Sequence, residues 1–174
     1  MKLAFRLGSN PSSRILLMKI ILRLATEKDL HLFEEIRGEK LTKLHLDRLK
    51  KQKMNKVEYF LAFIDKKPAG HMMLNYKAKR KWYTCPILED LYVKESERNK
   101  GIATQIINFA EKHLKDKKYK ELALDVETHE IWLKKFYEDL GFKKINGIHK
   151  LIWINKDKGN IRETSFVYHL RKKL

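Results

Sequence analysis

Leu91-Tyr92-Val93-Lys94-Glu95-Ser96-Glu97-Arg98-Asn99-Lys100-Gly101-Ile102-Ala103 is the stretch whose reading decides the fold. It runs from a strand end through a polar loop to a glycine that opens a helix. Downstream, Ile102, Ile106, Ala110 and Leu114 recur at four-residue spacing, with Ala103 and Ile107 beside them, which predicts an amphipathic helix over 101–115. Upstream, Ile87 to Val93 is largely apolar, interrupted by Glu89 and Asp90, and reads as a strand covered on both faces. Glu121 to Val126 is a second strand of that kind. Strand, helix, strand in this order implies a parallel pair joined by a right-handed crossover.

Working outward, Lys19 to Leu24 predicts a first strand. Thr26 with Asp29 three residues on has the form of a capping box before a helix bearing Leu30, Phe33 and Ile36. Leu41, Leu44, Leu46 and Leu49 mark a second helix ending near Lys53. Val57–Ile64 and Ala69–Tyr76, separated by Asp65-Lys66-Lys67-Pro68, predict a hairpin. A helix over 130–140 stops at Gly141, and Ile148–Ile154 and Thr164–Leu170 are the last strands. The sum is an α/β (α+β) fold. It has a mixed, mostly antiparallel sheet of about seven strands around a central parallel pair, flanked by about four helices.

The chain has 174 residues, 43% of them hydrophobic, which fits one domain over 18–174 with a packed core. Residues 1–17, ahead of Met18, read as an N-terminal extension or tag-like segment: Gly8, Pro11, Ser12 and Ser13 break the apolar run a secretory signal needs. No apolar run approaches the ~20 residues of a membrane span. Cys85 is the single cysteine, so no internal disulfide can form, which suits a cytoplasmic protein. Its place beside Pro86 reads as inert. The formal charge is +17. Residues 57–142 are nearly balanced, and the basic surplus lies in 1–56 and 143–174. Such a surplus favours an anionic partner, or simply solubility. The seven histidines show no paired metal-ligand spacing, so no metal is expected. Trp82, Trp132 and Trp153 read as core or groove walls.

A helix N-terminus offers unpaired N–H groups and the positive end of the helix dipole, and it binds phosphate readily. Gly101 permits close backbone approach, Ala103 keeps the first turn uncrowded, and Arg98 and Lys100 add positive charge. This pattern alone supports phosphate binding and nothing finer.

The same stretch resembles the acetyl-CoA signature of the GNAT superfamily, Arg/Gln-x-x-Gly-x-Gly/Ala after a strand ending in Val, which Arg98, Gly101 and Ala103 match. Phe136-Tyr137-Glu138-Asp139-Leu140-Gly141-Phe142 resembles the family's aromatic–Tyr–x–x–x–Gly–Phe helix end, and Arg23 to Leu30 its first strand and helix start. The resemblance spans roughly Lys19 to Leu170. It implies an N-acetyltransferase that passes the acetyl group of acetyl-CoA to a primary amine by direct attack. The pyrophosphate would bind the N–H groups of Asn99, Lys100, Gly101, Ile102, Ala103 and Thr104. The pantetheine arm would pair with the strand edge Leu91, Tyr92 and Val93, and a backbone N–H near Val93 would polarise the acetyl carbonyl. Tyr137 would be the general acid. At the position where the family often has a CoA-contacting Asn, seven residues before that Tyr, this chain has Glu130, so a contact there would be of another kind.

Direct attack needs a neutral amine and so a base. Strand alternation puts Glu89 on the face of Ile87, Leu91 and Val93, where an apolar setting would raise its pKa, and points Asp90 the other way, beside Leu88 and Tyr92. Glu89 is the first candidate, with Asp90 and His129 as alternatives. The acceptor is an amine on a small molecule, a peptide or an RNA-linked group, and the protein acts as a monomer or homodimer. A second reading is a nucleic-acid-binding protein of this fold. It rests on Lys77, Lys79, Arg80 and Lys81 flanking Tyr76 and Trp82.

Overall fold

Seven strands form one mixed sheet in the order β1-β2-β3-β4-β5-β7-β6, every neighbouring pair antiparallel except β4–β5. The strands are β1 (Ile20–Leu24), β2 (Val57–Ile64), β3 (Lys67–Asn75), β4 (Ile87–Val93), β5 (Glu121–Glu127), β6 (Lys143–Asn155) and β7 (Ile161–Lys173). The helices are α1 (Leu30–Arg37), α2 (Thr42–Lys53), α3 (Ile102–Asp116) and α4 (Ile131–Asp139). The computed structural model describes residues 19–38, 40–77, 84–155 and 161–174, without the side chains of 153–155. The extension 1–17, the basic-loop residues Lys79, Arg80, Lys81 and Trp82, and the loop 156–160 lie outside the described residues.

Each face of the sheet carries its own apolar cluster. On one side α3 lays Ile102, Ile106, Ile107, Ala110 and Leu114 against Met72, Leu74, Leu88, Leu124 and Val126, and Tyr137 and Phe142 complete the group. Each of the larger side chains gains roughly 1.5–3 kcal/mol by leaving water. That burial anchors α3, and with it the polar turn that opens it. On the other side Phe33, Ile36 and Leu49 of α1 and α2 pack on Val57, Tyr59, Leu61 and Met73. The start of α1 is set as its sequence suggests. Asp29 Oδ2 accepts from Thr26 N–H and Oγ1 at 2.8 Å each, and Arg23 grips the same carboxylate in a two-pronged pair at 2.8 and 2.7 Å. The Arg23 hydrogen bond holds that carboxyl well below the usual range.

Two expectations change. β6 and β7 are longer than their apolar cores: β6 starts at Lys143, crosses a bulge between Ile145 and Ile148, and pairs with β7 along its length. β7 lies between β6 and β5, so ladder bonds on both sides carry it through Arg171 to Lys173 where hydrophobicity alone would end it. The second change is the alternation along β4. Asp90 takes a left-handed backbone, φ 53°, at a bulge opposite the His71–Met73 step of β3. The extra residue resets the faces. Leu88, Leu91 and Val93 join the α3 cluster, whereas Glu89, opposite Met73, shares with Asp90 and Tyr92 the face toward α1 and α2. Glu89 therefore does not share a face with Leu91 and Val93, and Asp90 does not point away from it.

Candidate active site

β4 stays with β3 as far as Val93, paired to Gly70, while β5 stays with β7 along Glu121–Glu127. Among the described residues the ladder register between β4 and β5 is the single pair Ile87–Ala123, flanked by an Ala123 N–H bond to the Pro86 carbonyl at 3.1 Å. Beyond it no ladder pair joins the two strands among the described residues, so the Leu91–Val93 edge has no ladder partner on β5. Because the pair is parallel, both strands end at the same mouth. There the loop 94–101 leads into α3, and residues 128–130 lead into α4.

The turn into α3 depends on left-handed residues. Asn99 has φ 62° and Gly101, the N-cap, φ 74°. A Cβ on Gly101 would meet nothing within 4 Å, so the glycine serves the backbone angle and leaves the approach to the helix end clear. The first helical bond is closed by Gln105 N–H on the Gly101 carbonyl at 3.1 Å, so the N–H groups of Ile102, Ala103 and Thr104 have no intrahelical partner. Ile102 anchors this turn in the core, fully buried. Arg98 folds back: its Nε–H donates to the Val93 carbonyl at 3.2 Å and its guanidinium lies 5.2 Å from the Tyr92 ring centroid. Lys100 pairs with Glu97 at 2.9 Å on the surface. A clear helix end with free donors, a basic loop and a splayed strand edge fit a pyrophosphate carrying an extended amide arm.

Glu89 is half-buried and accepts from Asn75 Nδ2 at 3.2 Å. Asp90 meets groups from three other elements. Its carboxylate is ion-paired to Arg37 and Arg48 and accepts from the Tyr59 hydroxyl at 3.1 Å. Tyr137 is buried in the α3-side cluster with Leu91 and Val93, its ring 5.7 Å from that of Phe142. Burial pushes its pKa up to about 12, and among the described residues its hydroxyl has no hydrogen-bond partner. Glu130 is the N-cap of α4 and makes no capping bond with its side chain. His129 is exposed, 3.4 Å from Glu127 and 3.7 Å from Glu130. Burial pushes the Cys85 thiol up, away from reactivity.

Sequence reasoning missed the groups that surround Asp90. Arg37, Arg48, Tyr59, His45 and His71 come from four different elements and meet only in the fold. His71 alone carried a local signal, being polar within an otherwise apolar strand. His149 and His169 also meet, with ring centroids 4.0 Å apart. Trp132 is 69% exposed in the first turn of α4 and so is not a core residue, while the side chains of Trp82 and Trp153 lie outside the described residues. Among the described residues no group of three or more His, Cys, Asp or Glu is placed to hold a metal, and no helix is long and apolar enough to cross a membrane.

Comparison with solved structures gives the same fold. PaiA N-acetyltransferase from Thermoplasma acidophilum, solved with coenzyme A, is 21% identical with a TM-score of 0.62, over 90% of this chain and 100% of that one. A GNAT family acetyltransferase from Elizabethkingia anophelis, solved with acetyl-CoA, is 20% identical with a TM-score of 0.59, over 89% and 98%. The ribosomal-protein-S18-alanine N-acetyltransferase of Escherichia coli is 13% identical with a TM-score of 0.67, over 89% and 94%. A search of curated proteins finds no match. Residues 22–142 match the Acetyltransferase (GNAT) family across the β4–loop–α3 unit and the Tyr137–Phe142 helix end, and the chain belongs to that family.

Proposed function

We propose that this chain transfers the acetyl group of acetyl-CoA to a primary amine by direct attack, in the cleft between β4 and β5. The observation that carries the reading is the junction of two features at one mouth: the parting of β4 from β5 after Ile87–Ala123, and the glycine-opened N-terminus of α3. Acetyl-CoA supplies an activated thioester; the residues do the rest. The N–H groups from Asn99 to Thr104, with Arg98 and Lys100 nearby, hold the pyrophosphate. The Leu91–Val93 edge pairs with the amide arm as an added strand, and one of its N–H groups polarises the acetyl carbonyl. Glu130, at the start of α4, borders the arm from the β5 side of the cleft.

Glu89 takes the proton from the incoming amine, directly or through water. Asp90 is the less suited of the two, because Arg37 and Arg48 already pair with its carboxylate. Tyr137 is protonated throughout the physiological range and supplies the proton to the leaving thiolate. The basic surplus of the chain's two flanks favours an acceptor that is acidic around its reactive amine.

Free-thiol release from acetyl-CoA, screened over acidic peptides, aminoacyl-tRNA, polyamines and aminoglycosides, tests the reading. Turnover with one acceptor class, lowered ~10²-fold or more in Glu89→Gln and with an altered pH profile, is the expected result. An unchanged rate and profile in Glu89→Gln removes Glu89 as the base.

A further inference from the structure

The groups gathered on Asp90 hold both its carboxylate and its backbone. Arg37 from the end of α1, Arg48 from α2 and the Tyr59 hydroxyl from β2 hold the carboxylate, which is 9% exposed. His71 on β3, fully buried, reaches the backbone: its Nδ1 lies 3.0 Å from the Asp90 carbonyl oxygen, nearer than the 3.3 Å to Asp90 Oδ2. The protonation of His71 follows from its other nitrogen. Nε2 lies 3.2 Å from Arg37 Nε, and an arginine nitrogen only donates. Nε2 therefore carries the lone pair, and Nδ1–H donates to the Asp90 carbonyl. Burial keeps His71 neutral, with a pKa near 3, so the arrangement persists at any ordinary pH. Arg37 also lies over the Tyr92 ring, 4.6 Å from its centroid, and Tyr92 stacks on His71 with centroids 5.7 Å apart.

The peptide joining Asp90 to Leu91 is planar and trans, since the described chain has no cis peptide. Its N–H therefore points opposite to its C=O. The carbonyl is turned toward His71, which stands on β3 opposite Tyr92. The Leu91 N–H is thus turned away from the His71 ring, and the β4–β5 ladder pair, Ile87–Ala123, lies four residues before it.

We propose that these side chains form a positioning latch: Arg37, Arg48 and Tyr59 hold Asp90 in the bulge, and His71 turns the Asp90–Leu91 peptide. The latch aims the Leu91 N–H into the cleft as the donor to the thioester carbonyl of bound acetyl-CoA. None of the four latch residues touches the acetyl group. Two of them belong to α1 and α2, so those helices set the aim of a donor they never contact. The inference rests on the proposed placement of the acetyl group between β4 and β5.

Isotope-edited infrared spectra of carbonyl-labelled acetyl-CoA bound to the full chain test it. In the wild type the carbonyl band is expected to move to lower frequency on binding. In His71→Leu it should return toward the free value, with turnover down ~10-fold or more, while desacetyl CoA, which lacks that carbonyl, binds within ~3-fold of wild type. His71→Asn, whose amide N–H can replace Nδ1–H, should regain part of the band shift. Tyr59→Phe removes one hydroxyl at little cost to packing. It should weaken the shift in the same direction, and it stands in if His71→Leu does not fold. An unchanged band in the variants that fold overturns the latch while leaving the cleft site intact. A wild-type band that does not move on binding overturns the cleft placement and the latch with it.

Discussion

Gly70 and Tyr92 approach so closely that a Cβ built on Gly70 would stand 2.6 Å from the Tyr92 carbonyl oxygen. The same Cβ would meet Ile106 Cδ1 at 3.3 Å. β3, β4 and α3 thus converge on a glycine, and the strand edge that faces the cleft is held at that spacing. Gly70→Ala must push β4 outward at Tyr92–Val93 or shift α3. We expect a loss of about 1–3 kcal/mol in urea unfolding, together with weaker acetyl-CoA binding. Wild-type stability and affinity in this variant would show that the contact relaxes without moving the edge.

Gly101 is the opposite case. Space around its Cβ is open, and only the backbone angle asks for glycine. Gly101→Ala should lose about 1 kcal/mol from the left-handed conformation while keeping the fold. Acetyl-CoA affinity should fall, because a methyl group now stands at the helix end. Titration calorimetry and a melting curve read the two effects separately; equal affinity would place the pyrophosphate elsewhere.

Tyr137→Phe removes a hydroxyl that burial keeps protonated to about pH 12. Turnover should drop ~10²-fold with the acetyl-CoA Kd unchanged, since the ring stays packed on Phe142. Undiminished kcat would take Tyr137 out of the mechanism.

His45 and His71 are both fully buried, and burial holds them at pKa values of about 4 and about 3. In the unfolded chain each titrates near ~6.5. Below that pH the unfolded state binds protons that the folded state refuses, so stability is full above ~pH 7 and falls as pH drops toward 4. The slope is up to ~1.4 kcal/mol per pH unit for each histidine. Urea unfolding between pH 7 and 5 should show the decline, and His45→Gln should make it shallower. Parallel curves for wild type and variant over that range would mean that His45 titrates alike in both states.

Most of the framework was legible in local pattern. The apolar repeat from Ile102 to Leu114, the hairpin over 57–76, the capping at Thr26–Asp29 and the strand–helix–strand run from Ile87 all depend on neighbours a few residues apart. The helix-opening Gly101 was legible for the same reason, since a left-handed N-cap is a property of one residue and its flanks. The lengths of β6 and β7 were less so, because ladder bonds from both neighbours of β7 carry its ends past the apolar pattern.

The site's inner arrangement belongs to the fold. A period-two reading of β4 assigned Glu89 and Asp90 to opposite faces. A single bulge residue, specified by contacts from Arg37, Arg48, Tyr59 and His71, put them on the same one. Those partners lie 53, 31 and 19 residues from Asp90 where the hydrogen bonds span Arg37, Tyr59 and His71, and no spacing rule links them. Residue type and short-range periodicity thus marked a glycine-opened helix start and two neighbouring carboxylates on the strand before it. Which way those carboxylates face, and that Asp90 is held by two arginines and a tyrosine, was decided by side chains brought together from α1, α2, β2 and β3.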